Sequence, residues 1–284
     1  EIDCSEGYLL NKEPLKFELT KDMDYDIAED GVTPIVTIAF ENKPVKGKIK
    51  LSKEGEVLTS YDEKEKNFVY EKVGLANAVY DILAEKDILD PCNDKTVLYH
   101  AGEVVDTITT NEDGKAESKL LPLGDYEVKE KESPNGFILN DEVKKVSLTY
   151  EDKETEIVYE DVEFYNERQK VEIETSKQDS DTQDYVEGAE LTLKANRDIY
   201  NYKGDVIVKA GTLLETVVSN SKGKVKFVTD LPNDLTPKDG VMPIDDLNDD
   251  IDNDFSQMVV DGVRLIGDPN SLFMVYESKE PIGY

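Results

Sequence analysis

A chain of 284 residues with 38% hydrophobic content is long for one all-β domain and sufficient for two domains with modest cores. Its 64 acidic residues against 33 basic ones give a net charge of −31, which repels nucleic-acid phosphate and anionic lipid and excludes nucleic acid as a partner. No apolar run approaches the roughly 18 residues of a membrane span, no charged and then apolar leader opens the chain, and Cys4 and Cys92 lack metal-type spacing. The chain therefore reads as a mature fragment with no membrane insertion of its own and no cofactor, a single Cys4–Cys92 bridge staying open.

Taken in chain order, short alternating runs set off by turn residues dominate. "EIDCSEGY" at 1–8 places an aromatic residue seven positions after Glu1. "GYLLNKEPLKFELT" reads as edge strands with Pro14 at an edge or bend, and "VTIAFEN" as an inward row of Val36, Ile38, Phe40 and Asn42. "GKIKLSK" aligns Ile49, Leu51 and Lys53 on one face. "FVYEKV", "AVYDILAE" with a loop after it, "GEVVDTITT" and "KKVSLTY" continue the strand pattern, broken by Asp-Gly, Lys-Gly and Pro-Asn-Gly. In "YEVKEKESPNGF" the residues Tyr126, Val128 and Glu130 share a face, and in "VEFYN" Val162, Phe164 and Asn166 do. "KVEIETSK" repeats the lysine row as Val171, Ile173, Thr175 and Lys177, and "FMVYESKEPIGY" repeats the glutamate row as Phe273, Val275 and Glu277. An isolated glutamate in such a place reads as a strand end emerging into solvent. Its recurrence does not.

The recurrence is an internal repeat. Asn42 and Asn166 are 124 residues apart (166 minus 42), as are Lys53 and Lys177 (177 minus 53). Ala78 pairs with Ala189, "EDGKA" with "SKGKV", "LLP" with "DLP", and Glu130 with Glu277. The predicted organisation is the end of a preceding repeat at 1–45, a complete domain at 46–168, and a second domain at 169–284 that lacks its last strands. That second domain carries an acidic insertion at about 233–270. Lysine, glutamate and asparagine all aimed inward within one repeat need a chemical reason, because Lys and Glu are rarely buried unless paired.

"KLSK", the block "EDGKA…LLPLGDYEVKEKESPNGF" and "VEFYN" resemble the collagen-adhesin B-type domain, also called the SpaA-type prealbumin-like domain, of Gram-positive surface adhesins and pilins. The resemblance covers nearly the whole chain as tandem repeats. It implies an all-β fold of tandem immunoglobulin-like (prealbumin-like) β-sandwiches, an extracellular, cell-wall-anchored location with the anchor signal outside these residues, and a self-formed intramolecular isopeptide bond. By position it implies Lys53 as nucleophile, Asn166 as electrophile and Glu130 as proton shuttle, with Glu277 the shuttle's equivalent in the last repeat. Two departures stand out: about 24 residues separate Lys53 from "LANAVYDIL", roughly double the next repeat's gap, and Phe137 replaces the commoner tyrosine.

The chemistry is consistent on its own terms. A lysine is nucleophilic only when neutral, and burial penalises the ammonium. A protonated Glu130 would polarise the Asn166 carbonyl and carry protons from the amine to departing ammonia. The event happens once per molecule, so the expectation is maturation and not an enzyme. Glu1, Asn42 and Lys177 are then unpaired equivalents: 1–45 has no first-strand lysine, and 169–284 no last-strand asparagine. Two explanations are open, truncation of a longer native chain or head-to-tail complementation in which a neighbour's first segment completes the last domain.

Lesser features are bland. "DDLNDDIDND" spaces Asp246, Asn248, Asp250 and Asp252 like calcium ligands but lacks the glycine and glutamate of an EF-hand loop, so a solvated acidic loop is expected. His100, the single histidine, is expected at the surface or in a strand. Two functions are compatible with all this: a covalently strengthened stalk module of an adhesin or pilin, meeting a host or matrix protein or glycan through the larger protein and touching neighbouring repeats, or a ligand-binding β-sandwich for carbohydrate or matrix protein without a crosslink.

Overall fold

The computed structural model describes residues 1–18, 20, 25–232, 258–260, 263–265 and 271–281. Asp246, Asn248, Asp250 and Asp252 lie outside the described residues, as does most of the acidic insertion. All regular structure among the described residues is β.

The central domain is two sheets face to face, the arrangement that lets each sheet bury its apolar side. In one sheet the first strand, Lys46–Asp62, lies between the last strand, Ile157–Asn166, and the antiparallel neighbours Asn67–Gly74, Lys115–Glu117 and Leu121–Pro122. In the other the order is Val143–Leu148, the glutamate strand Gly124–Glu132, Val79–Ala84 and Val104–Thr109. The period-two pattern decides the faces. Ile49, Leu51, Val162 and Phe164 from one sheet and Tyr80, Ile82, Tyr126 and Val128 from the other are all buried in one core. First and last strands run parallel, with Lys53 opposite Phe164 and Gly55 opposite Asn166. Parallel neighbours need a long crossover, and here the rest of the sandwich provides it.

The surplus residues after Lys53 are a continuation of the first strand. It runs on to Asp62, turns, and returns as Asn67–Gly74, forming a ribbon that leaves the central domain. Leu58 and Phe68 on this ribbon are buried in a second core together with Ala189, Leu191, Leu193, Val225 and Phe227. The Tyr202 backbone N–H donates to Leu58 O at 3.0 Å, and Tyr70 Oη donates to Asp230 O at 3.1 Å. The next domain therefore rests on an arm of the central one.

In that next domain Glu190–Ala195 lies between Leu213–Val218 and Phe273–Lys279, and Glu174–Ser176 pairs with Lys224–Lys226. These pairings repeat those of Val79–Ala84 with its two neighbours and of the first strand with Lys115–Glu117.

Three local expectations need correction. "GYLLNKEPLKFELT" forms no strand among its described residues; a lone bridge joins Tyr8 to Pro44, matching the one that joins Phe137 to Arg168. "VTIAFEN" forms no inward row, because none of residues 36–42 lies in a strand, the pairing of Pro34–Ile35 with Asp26–Ile27 ending just before it, and Phe40 is 53% exposed. Without an opposing sheet, alternation has no core to face. After "AVYDILAE" the chain makes a short ribbon, Ile88–Asp90 with Asn93–Tyr99, where a loop was expected.

Candidate functional site: a buried lysine, glutamate and asparagine

Lys53, Glu130 and Asn166 come together at one end of the central core, at 0%, 6% and 1% exposure. Two sheets supply them. Lys53 and Asn166 stand on the paired parallel strands, pointing to the same face, and Glu130 reaches across from the opposite sheet. Gly55, directly opposite Asn166, makes the room: a Cβ there would sit 2.6 Å from Leu75 and 2.7 Å from Phe137. Gly114, at φ +72°, does the same for the backbone, since a Cβ there would come within 2.3 Å of Lys53 O. The Lys53 N–H donates to Gly114 O at 2.7 Å.

Each polar atom of the trio has a partner. Lys53 Nζ donates to Asn166 Oδ1 and lies 3.1 Å from Glu130 Oε1. Asn166 Nδ2 donates to both Glu130 oxygens, at 2.9 and 3.0 Å. Tyr80 Oη donates to Glu130 Oε1 at 3.3 Å, and the Asn140 backbone N–H donates to Oε2 at 2.7 Å. The Tyr80 and Phe164 rings pack at a 41° tilt with centroids 4.7 Å apart and wall the lysine, 5.6 and 5.9 Å from Nζ. Burial pushes the Lys53 amine below the usual lysine range, and the Glu130 charge only partly opposes it. Burial likewise raises the Tyr80 phenol, so it stays a donor. A β-bulge follows Glu130: it opposes Tyr80, and Glu132 already opposes Val79. Such an extra residue re-aims the chain next to the carboxylate.

A carboxyl group in contact with both an amine and an amide nitrogen, inside a site walled from water, can pass a proton from one to the other. The lysine nitrogen meanwhile lies against the amide it would attack. Lys53, Glu130 and Asn166 thus form one buried hydrogen-bonded set.

The flanking sets are half-sites. Lys177 Nζ donates to Glu277 Oε2 at 2.7 Å, with both side chains 28% exposed, and Val275 on the same row is 37% exposed. The bulge recurs after Glu277, but Leu191 stands where Tyr80 does in the central domain. At the other end Asn42 Nδ2 donates to Glu1 Oε2 at 2.7 Å. The structure pairs Glu1 with Asn42 and Lys177 with Glu277, and does not bring the two pairs together into one trio.

Sequence reasoning passed over Tyr80, Asn140 and Arg168. Asn140 had a signal: an asparagine stands ten positions after Glu130 (140 minus 130) and another ten after Glu1 (11 minus 1). Arg168 is buried between domains, its guanidinium 3.7 Å from the Tyr70 ring centre and paired with Asp230; a lone arginine after the last strand carries no such signal. His100 is exposed, 3.7 Å from Asp87. Among the described residues no group of His, Cys, Asp and Glu could hold a metal, and no helix is long and apolar enough to cross a membrane.

Residues 64–163, which hold most of the central sandwich, match the family model of the SpaA prealbumin-like fold domain. The match encloses Glu130 and stops short of Lys53 and Asn166 on either side. No curated protein matches the chain. Among solved structures it is similar to the Bacillus anthracis TIE protein, at 23% identity and a TM-score of 0.45 over 80% of this chain, and it spans 32% of that protein's length. It is also similar to a Streptococcal ancillary pilin, at 19% identity and a TM-score of 0.29, covering 76% of this chain and 61% of that one. Shaft pilin SpaA from Lactobacillus rhamnosus GG gives 17% identity and a TM-score of 0.29, covering 64% and 82% respectively.

Proposed function

We propose that this chain is a stalk or backbone module of a Gram-positive surface adhesin or pilin, anchored to the cell wall through parts outside these residues. In this reading residues 46–168 form its complete domain, which matures by joining Lys53 to Asn166. The observation that carries the reading is the buried contact of Lys53 Nζ with Asn166 Oδ1, together with Glu130 touching both nitrogens. The neutral Lys53 amine attacks Asn166 Cγ, forming the Nζ–Cγ bond. Its surplus proton passes to Glu130, which returns one to Nδ2; the Cγ–Nδ2 bond breaks and ammonia leaves. Proximity supplies the drive, since effective molarities of about 10⁵–10⁸ M make an otherwise inert amide reactive. Each molecule reacts once, so the process is maturation and not enzymatic turnover.

The product suits a load-bearing role. A link between first and last strands carries tension from one neighbour to the next without unfolding the sandwich, and an amide needs no oxidising machinery. Intact mass after full denaturation tests the proposal. Loss of one ammonia, with a branched peptide carrying Lys53 and Asn166 after digestion, is the expected result; an unmodified mass in a folded sample overturns it.

A further inference from the structure

The cluster around Glu130 contains, beside Tyr80, a further residue that the Lys–Asn chemistry does not itself require. Asn140 donates its backbone N–H to Glu130 Oε2 at 2.7 Å, while its side-chain Nδ2 donates to Tyr165 O at 2.9 Å and its Oδ1 accepts the Glu142 N–H at 2.9 Å. Tyr165 immediately precedes Asn166. One asparagine therefore ties the loop beside the carboxyl to the strand that carries the electrophile.

The same set is built a second time. The Asn11 N–H donates to Glu1 Oε2 at 3.0 Å, Asn11 Nδ2 donates to Glu41 O at 3.1 Å, and Asn11 Oδ1 accepts the Glu13 N–H at 3.0 Å. Glu41 precedes Asn42 as Tyr165 precedes Asn166. Two segments of different surface exposure thus share three equivalent hydrogen bonds, and in the Glu1 copy no lysine is among the described partners. The contact set belongs to the glutamate–asparagine half of the site.

We propose that Asn140 is a positioning residue that holds the Glu130 carboxyl against the Asn166 amide, and that Asn11 does the same for Glu1 and Asn42. This rests on the reading of Lys53, Glu130 and Asn166 given above. The side chain must donate to one backbone carbonyl and accept from one backbone N–H at the same time. A carboxamide does both, an ionised aspartate only accepts, and alanine does neither. With the loop released, the Asn140 N–H no longer fixes Oε2, and Glu130 can rotate away from Nδ2.

The test follows ammonia loss by intact mass in acid-quenched time points after a cell-free translation pulse of the full chain. Asn140→Ala is expected to close about tenfold more slowly than the parent, the effect of one well-placed hydrogen bond on a barrier. Asn140→Asp is expected to be slow at neutral pH and to regain the parent's rate, compared at equal pH, as pH falls through about 4, where a protonated acid can again donate to Tyr165 O. In a Lys53→Ala background, where no bond forms, adding Asn140→Ala is expected to leave the melting temperature within a few degrees. Asn140→Ala closing as fast as a parent that closes overturns the positioning role alone. So does an Asn140→Asp rate that does not recover with acid, or a Lys53→Ala/Asn140→Ala chain that no longer folds. A parent that keeps its full mass overturns the bond and this role with it.

Discussion

Replacing Glu130 by glutamine removes the proposed proton carrier while keeping its shape. A glutamine carbonyl still accepts from Tyr80 Oη or the Asn140 N–H, so the direct cost is about 1 kcal/mol for each weakened hydrogen bond. The indirect cost is larger. The proposed bond closes a loop of 113 residues between Lys53 and Asn166, for which chain-entropy reasoning gives about 4–5 kcal/mol. For a domain of this size that corresponds to a drop on the order of 15–25 °C in melting temperature. Glu130→Gln is therefore expected to give a folded chain with its full mass, a melting transition lowered by that amount, and faster trypsin cleavage inside 46–166. Scanning calorimetry alongside intact mass reads all three. If Glu130→Gln loses ammonia as the parent does, the carboxyl carries no proton; if the parent loses ammonia but melts no higher than the variant, the loop-closure magnitude is wrong.

Two further outcomes follow from the same structure. In the uncrosslinked Glu130→Gln chain, Lys53 is an amine whose folded-state pKa is depressed by burial, so the unfolded chain binds its proton more tightly and stability rises with pH. The penalty is full below the folded pKa and vanishes as pH approaches the ordinary lysine value of 10.5; denaturant midpoints are expected to rise between pH 7 and pH 10 in Glu130→Gln relative to the parent, whose Lys53 would be an amide, and equal slopes would refute this. Phe68→Ala empties a buried position on the ribbon, at a cost of about 3–5 kcal/mol borne by the second core. Limited proteolysis is expected to cut 171–232 sooner while ammonia loss at Lys53 persists, and unchanged cleavage of that segment would show that the arm does not support its neighbour.

How much of this was legible in the chain depends on the range of the interaction concerned. Side-chain alternation is local, so the rows ending in Lys53, Glu130 and Asn166 could be read from spacing, and the repeat offsets marked Lys177, Glu277, Asn42 and Glu1 as their counterparts. The all-β class followed from the same alternation and its turn residues. What those residues touch was not local. Whether an alternating row is buried depends on a second sheet lying over it: Ile49, Leu51 and Lys53 have one, whereas Phe40 does not, and it is exposed despite the same pattern. The extra residues after Lys53 read only as a long gap, because nothing in a ribbon's own sequence says which core its tip will enter; Leu58 and Phe68 are buried by the domain that follows. Asn140 was missed for the same reason. Its proposed role is defined by Glu130 Oε2 and Tyr165 O, which reach it from two different strands, and only the folded sandwich brings a carboxylate to its backbone N–H and a carbonyl to its side chain.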